Sequence, residues 1–148
     1  MKKTRAENII VSEILEKELG ITFSNKEFNL NNWGHADNYG KFSPDTIILL
    51  ECESGQKHPT TNVLKLFPYL EEQDQLHVIL IHYFFPENNA PKNRIALCEF
   101  MGSKLENFFG IRFQYVRLSC APEQIPNEIK KHDRRLMQAV FATKDINH

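Results

Sequence analysis

The feature that most constrains this chain is the stretch Thr46–Glu53, TIILLECE, in which four consecutive aliphatic residues run straight into two acids. A short apolar run rich in branched residues, preceded by the turn signal Phe42-Ser43-Pro44-Asp45 and followed by Ser54-Gly55, is the pattern of a buried core strand. Side chains alternate along a strand, so Glu51 and Glu53 share one face and Cys52 takes the other. Like charges on one face repel, and burying them is costly unless a cation compensates. The exposed end of a strand is the simpler home for two acids. A buried pair asks for a positive partner elsewhere in the chain.

The rest of the sequence supplies elements of matching kind. Residues 4–19 read as a helix, with Ile10, Ile14 and Leu15 at helical spacing and Gly20 as its stop. Residues 21–30 and 33–41 read as strands, and the latter is expected to turn at Ser43-Pro44 into the 46–53 strand. A helix follows from Thr60 or Thr61 to Glu72, which Pro68 should kink or split. Residues 76–85, LHVILIHYFF, form a second buried strand. A helix over 92–109 with a weak point at Gly102, a strand over 111–118 and a helix over 126–143 complete the chain. The predicted fold is α/β: a mixed β-sheet flanked by helices, with an α-β-β-β-α-β core and a C-terminal α-β-α extension.

At 148 residues the chain fits one domain with a real core. The apolar runs are strand-sized, so no transmembrane helix is expected. Met1-Lys2-Lys3-Thr4-Arg5 could open a signal peptide, but Glu7, Asn8, Ser12 and Glu13 interrupt the apolar segment that would have to follow. Cys52, Cys98 and Cys120 are isolated and odd in number, which fits neither a disulfide framework nor paired zinc ligands and points to a reducing cytoplasm. The formal net charge of -1 neither requires nor forbids a nucleic-acid partner.

If 33–41 and 46–53 form a hairpin about Ser43-Pro44, residues whose numbers add to about 88 face each other. Asp37 then lies across from Glu51 and His35 across from Glu53, which brings three carboxylates and one imidazole into a small area. A slip of one residue in register would undo this. Asp45 is the rival partner, but at ~3.3 Å per residue it lies roughly 20 Å from Glu51 and takes the turn role instead. Clustered oxygen donors at a strand end suit a hard divalent cation such as Mg²⁺, which would also supply the missing positive charge. Cys52 points away from the acids and reads as core. His77 and His82, five residues apart, fall on opposite faces of their strand.

The stretch Gly34-His35-Ala36-Asp37, the hairpin turn and Glu51-Cys52-Glu53 resemble the active-site motif of the PD-(D/E)xK nuclease superfamily, the restriction-endonuclease-like fold. That motif sets an Asp on one strand and an acid-x-Lys triplet on the next, within an α-β-β-β-α-β core that corresponds here to about residues 4–85. The resemblance implies a metal-dependent nuclease that hydrolyses phosphodiester bonds in DNA with Mg²⁺, for which Mn²⁺ can substitute. Asp37 and Glu51 would be metal ligands. The chain departs from the pattern at position 53, where Glu replaces the motif Lys, and Glu53 would then be a further metal ligand or a base for the attacking water. A second metal ion, or Lys57 or Lys65, would restore the lost cation, Gln56 would help to position the site, and Glu7 or Glu13 of the first helix would join it. The expected catalytic set is therefore Asp37, Glu51, Glu53, Gln56 and Lys65, with Asp37, Glu51 and Glu53 on the metal.

Lys130-Lys131-His132-Asp133-Arg134-Arg135 offers a basic strip for phosphates or, more simply, a solvated helix face. Cutting both strands of a duplex calls for two copies, which makes a homodimer a candidate assembly. Two other readings stay open. One is a catalytically inactive member of the same fold that serves as a nucleic-acid-binding or assembly subunit, for which the missing Lys speaks. The other is a metal hydrolase acting on something other than nucleic acid.

Overall fold

A computed structural model describes residues 4–54, 58–87 and 92–132, together with Leu136. Helix α1 (Thr4–Leu19) leads into a short ribbon, β1 (Phe28–Asn29) paired antiparallel with β2 (His35–Ala36). Strands β3 (Asn38–Ser43) and β4 (Thr46–Glu53) form the hairpin, α2 (Thr61–Leu64) and α3 (Leu66–Glu72) follow, and β5 (His77–Phe84) returns beside β4. Then come α4 (Lys92–Phe109), β6 (Phe113–Ser119) and α5 (Ile125–Lys130). The main sheet has the order β3-β4-β5-β6, with β3 antiparallel to β4 and the pairs β4–β5 and β5–β6 parallel. This is an α/β fold with a mixed four-stranded sheet flanked by helices, as the apolar pattern predicts.

Both central strands are buried along their whole length, because each face of the sheet is covered. On one face Ile48, Leu50, Ile79, Ile81 and Val116 pack against Val11 and Leu15 of α1 and Ile125 and Ile129 of α5. On the other, Ile47, Leu49, Val78, Leu80 and Phe113 pack against α2, α3 and α4 through Val63, Leu66, Leu70 and Leu105. Glu51, Glu53 and His82 fall on this second face by the two-residue period. None of the described helices is long and apolar enough to cross a membrane.

The hairpin register is the one expected from the turn: Asn38 faces Leu50, Tyr39 faces Leu49 and Gly40 faces Ile48, with an irregularity between Lys41 and Ser43. The strands expected over 21–30 and 33–41 are broken. Asn25 adopts a φ of 58°, which bends the first stretch, and the Asn38 side chain accepts a hydrogen bond from the Asn25 N–H at 2.7 Å to hold that bend. Gly34, at a φ of 105°, ends a turn of 3-10 helix at Asn31–Trp33, so β2 starts only at His35. The 60–72 helix splits at Lys65. Pro68 then falls in the first turn of α3, where its missing N–H costs no hydrogen bond. Arg112 closes the far end of α3 by donating to the carbonyls of Leu70, at 2.9 Å, and Gln73. Turns of 3-10 helix at Gly110–Arg112 and Pro122–Gln124 delay β6 and precede α5. The last helix ends at Lys130 and Lys131 and His132 form a turn, while the rest of the helix expected to 143 lies outside the described residues except at Leu136.

Helix α4 meets β6 through Gly102, the position the sequence marks as weak. A Cβ there would collide with the ring of Tyr115, so glycine permits the close approach. Glu106, one turn on, accepts a hydrogen bond from the Tyr115 N–H at 2.9 Å. Alanine at 102 would gain about 1 kcal/mol in helix propensity, but overpacking costs about 1–3 kcal/mol and should win against a ring fixed in the core. Gly102→Ala is expected to lower stability by a net of up to about 2 kcal/mol in urea unfolding. An unchanged or raised midpoint would mean that the helix slides away from the sheet at little cost.

Candidate functional site

The site lies where β4 ends. Glu51 and Glu53 are 2% and 0% exposed, so neither is a strand-end acid in solvent. Glu51 is gripped from two sides. The Asp37 N–H donates to its Oε1 at 2.9 Å, and the Lys65 ammonium is bonded to its Oε2. Asp37 fills the gap between β2 and β3, and its Oδ2 accepts the Cys52 N–H at 3.1 Å. Each acid thus takes a backbone N–H at or beside the other, which ties the hairpin ends together.

Lys65 reaches this point from the joint between α2 and α3. Its three donors go to Glu51, to the His35 carbonyl at 2.6 Å and to the Asn62 Oδ1 at 2.8 Å. Burial, reinforced by the nearby Asp37 carboxylate, pushes the Glu51 pKa up to about 8 in spite of the opposing pull of Lys65. One ammonium therefore does not offset two crowded carboxylates.

Glu53 does not join them. Its Oε1 accepts from the Asn62 Nδ2 and bonds His82 Nε2 at 2.8 Å, while its Oε2 is buried with no hydrogen-bond partner among the described residues. The His82 Nδ1 in turn meets the Tyr115 hydroxyl at 2.8 Å. The expectation of three carboxylates in one cluster is corrected here: a buried imidazole on the neighbouring strand draws Glu53 aside. Among the described residues no three His, Cys, Asp or Glu side chains are grouped to hold a metal ion. His35, expected across from Glu53, is exposed and pairs with Glu27 at 2.6 Å. The two oxygen donors that remain close, on Asp37 and Glu51, are the residues that could hold a cation.

Beside Asp37 opens a cleft of about 420 Å³ whose lining includes Asn8, Asn25, Lys26 and Glu27. The first helix contributes Asn8 there. Glu7 instead lines a separate pocket with Phe85 and Pro86, and Glu13 is exposed. Asp45 keeps its turn role, its carbonyl accepting the His77 N–H at 2.8 Å. Cys52 is buried on the α1 face, and burial holds its thiol well above the ordinary value, as suits a core residue. Gln56 and Lys57 lie outside the described residues, as do residues 133–135 of the basic strip. Lys131 of that strip pairs with Glu128 at 3.0 Å.

Asn62, His82 and Tyr115 are the site residues that sequence reasoning misses. A signal existed for two of them. His82 is a polar residue inside an otherwise apolar buried strand, which demands a partner, and Asn62 stands three residues before Lys65, on the same helical face.

Glu51 titrates at its ordinary 4.5 in the unfolded chain and at about 8 in the fold, so the folded protein holds an extra proton between those values. Its contribution to stability is complete below the lower value and is lost as pH rises through the upper one. The loss is expected to be on the order of a few kcal/mol between pH ~5 and ~9 without divalent ions, and to vanish in Glu51→Gln. Burial holds His77 below its ordinary value, which gives an opposite slope near neutrality, so the difference between the two proteins is the quantity to read by urea unfolding. Parallel curves would assign the slope to another group. Comparison of the chain with family models, with curated proteins and with solved structures finds no match.

Proposed function

We propose that this chain is a metal-dependent nuclease of the restriction-endonuclease-like fold that hydrolyses phosphodiester bonds in nucleic acid, with DNA the expected substrate. One observation carries the reading: Asp37 and Glu51 lie side by side across the hairpin with the Lys65 ammonium bonded to Glu51. The acid, acid and cation of the PD-(D/E)xK pattern are thereby regrouped. The lysine comes from the α2–α3 joint instead of position 53. The element order through β5 supports the reading only in part: the first helix, the β3–β4 hairpin, the α2–α3 crossover and β5 have counterparts in the α-β-β-β-α-β core, but β1 and β2 form a ribbon apart from the main sheet, which leaves two strands and not three before the crossover.

The donor set fits Mg²⁺ or Mn²⁺. Two carboxylates are the usual protein share of such a site, with water and a phosphate oxygen taking the other positions. Burial, and after it the Asp37 carboxylate, raises the Glu51 pKa, and a divalent cation bound between the two acids would oppose both effects. When bound, the ion supplies an acidified water and offsets charge on the phosphoryl oxygens.

The chain's own residues have distinct tasks in this reading. Asp37 and Glu51 present oxygens, kept in register by the Asp37 and Cys52 N–H groups. Lys65 keeps Glu51 oriented and carries a positive charge into the site. Lys26, on the rim of the cleft beside Asp37, is suited to an incoming phosphate. A double-strand cut would use two copies of the chain.

A second reading has its own support. Glu51 and Glu53 are both buried and bonded to Lys65 and His82, an arrangement in which the fold itself uses the acids, as expected of a non-catalytic binding or assembly subunit. Cleavage assays separate the two. With plasmid, single-stranded DNA and RNA in Mg²⁺ or Mn²⁺, Asp37→Ala and Glu51→Gln should each lose about 10²–10³-fold in rate, and Lys65→Ala a comparable amount. Chelation should abolish turnover. If the wild-type protein and the double variant Asp37→Ala/Glu51→Ala behave alike on every substrate, the nuclease reading fails and the non-catalytic one stands.

A further inference from the structure

The residue at position 53 has a task that neither a metal ligand nor a base would perform. Lys65 sits at a break between two short helices, on a flexible four-carbon stem whose rotamer freedom must be lost to hold it in place. Its ammonium is held by Asn62, one turn earlier, through Oδ1. An amide has two ends, and the other end of Asn62 donates to Glu53 Oε1. That oxygen also bonds His82 Nε2 at 2.8 Å, and the ring's far nitrogen meets the Tyr115 hydroxyl at 2.8 Å. The Tyr115 hydroxyl and the Glu53 carboxylate thus bracket the two ring nitrogens, and a carboxylate, which only accepts, takes the hydrogen bond from the proton carried on Nε2. Glu53 and His82 are fully buried, and Tyr115 is nearly so.

We propose that Glu53, fixed by His82 and Tyr115, is a positioning residue that sets the Asn62 amide and through it delivers the Lys65 ammonium to Glu51. The strand position that carries lysine in the nuclease pattern has thus become the anchor for a lysine supplied by the neighbouring helix joint. Glu53 acts here as a double hydrogen-bond acceptor, a task that a glutamine carbonyl can also perform. A ligand or a base would need the negative charge, and the two roles therefore respond differently to the same substitution.

The inference rests on the nuclease reading for its catalytic meaning, but its first measurement needs no activity. Brief acylation of the folded protein, read by mass spectrometry, compares Lys65 with the exposed Lys104 and Lys131. In the wild type Lys65 should be the protected one. Asn62→Ala and Glu53→Ala should raise its labelling by about tenfold, while Glu53→Gln should stay within about threefold of wild type. In cleavage assays Glu53→Gln should keep kcat within about tenfold of wild type, where Glu51→Gln does not. Should Glu53→Ala fail to fold, Asn62→Ala, on a half-buried surface residue, decides the labelling arm. Unchanged protection in Asn62→Ala overturns the proposal. So does a Glu53→Gln protein that is as inactive as Glu51→Gln while Lys65 remains protected. If the wild type cuts no nucleic acid yet Asn62→Ala and Glu53→Ala release Lys65, the positioning role stands and the nuclease reading alone falls.

Discussion

The structure depends on how a sheet buried on both faces accommodates two carboxylates at the end of its central strand. An ionised carboxylate without a partner in such a position would cost more than the fold can spare. Glu51 and Glu53 are instead each matched to a group brought from outside β4, Lys65 from the helix joint and His82 from β5. Neither match is free of tension: Glu51 stays reluctant to ionise beside Asp37, and one oxygen of Glu53 has no hydrogen-bond partner among the described residues. Of the three acids only Asp37 lines the open cleft, whose β4 residues Leu50 and Cys52 belong to the α1 face of the sheet.

The topology explains how these groups meet. Parallel pairing of β4 with β5 puts Glu51 directly beside His82 and Glu53 beside Phe84. The side chains of Glu53 and His82 then share a face, and they meet under α2. The crossover from β4 to β5 must pass over that face. Its split into α2 and α3 turns Lys65 down toward the strand end, where a continuous helix would have carried it along a fixed face. Asn62 and Lys65, three residues apart, reach the two acids, which are two residues apart, so one helical turn is matched to one strand period.

Much of this was legible in the residues. The aliphatic runs 47–50 and 78–81 mark two buried strands, and the Ser43-Pro44 turn sets the register that brings Asp37 to Glu51. The period of two correctly gathers Glu51 and Glu53 on one face, but it says nothing about which way each side chain leans. That choice was made by His82, a residue about 30 positions away in the chain, and only the pairing of β4 with β5 reveals it. The breaks at Asn25 and Gly34 were hidden for a related reason. Alternation of apolar residues survives a bend, whereas the positive φ values that make it depend on side chains such as Asn38, more than ten positions on. Gly102 reads as a defect in a helix until the ring of Tyr115 is seen against it.

The same Tyr115 has a second consequence, for association. Among the described residues strand β6 pairs only with β5 in the sheet, and its outer side is where a foreign strand would add. There the Tyr115 amide already donates to the carboxylate of Glu106. A polypeptide that tried to pair with this margin at Tyr115 would have to displace the Glu106 side chain from that amide, which weakens the edge as a template at its middle.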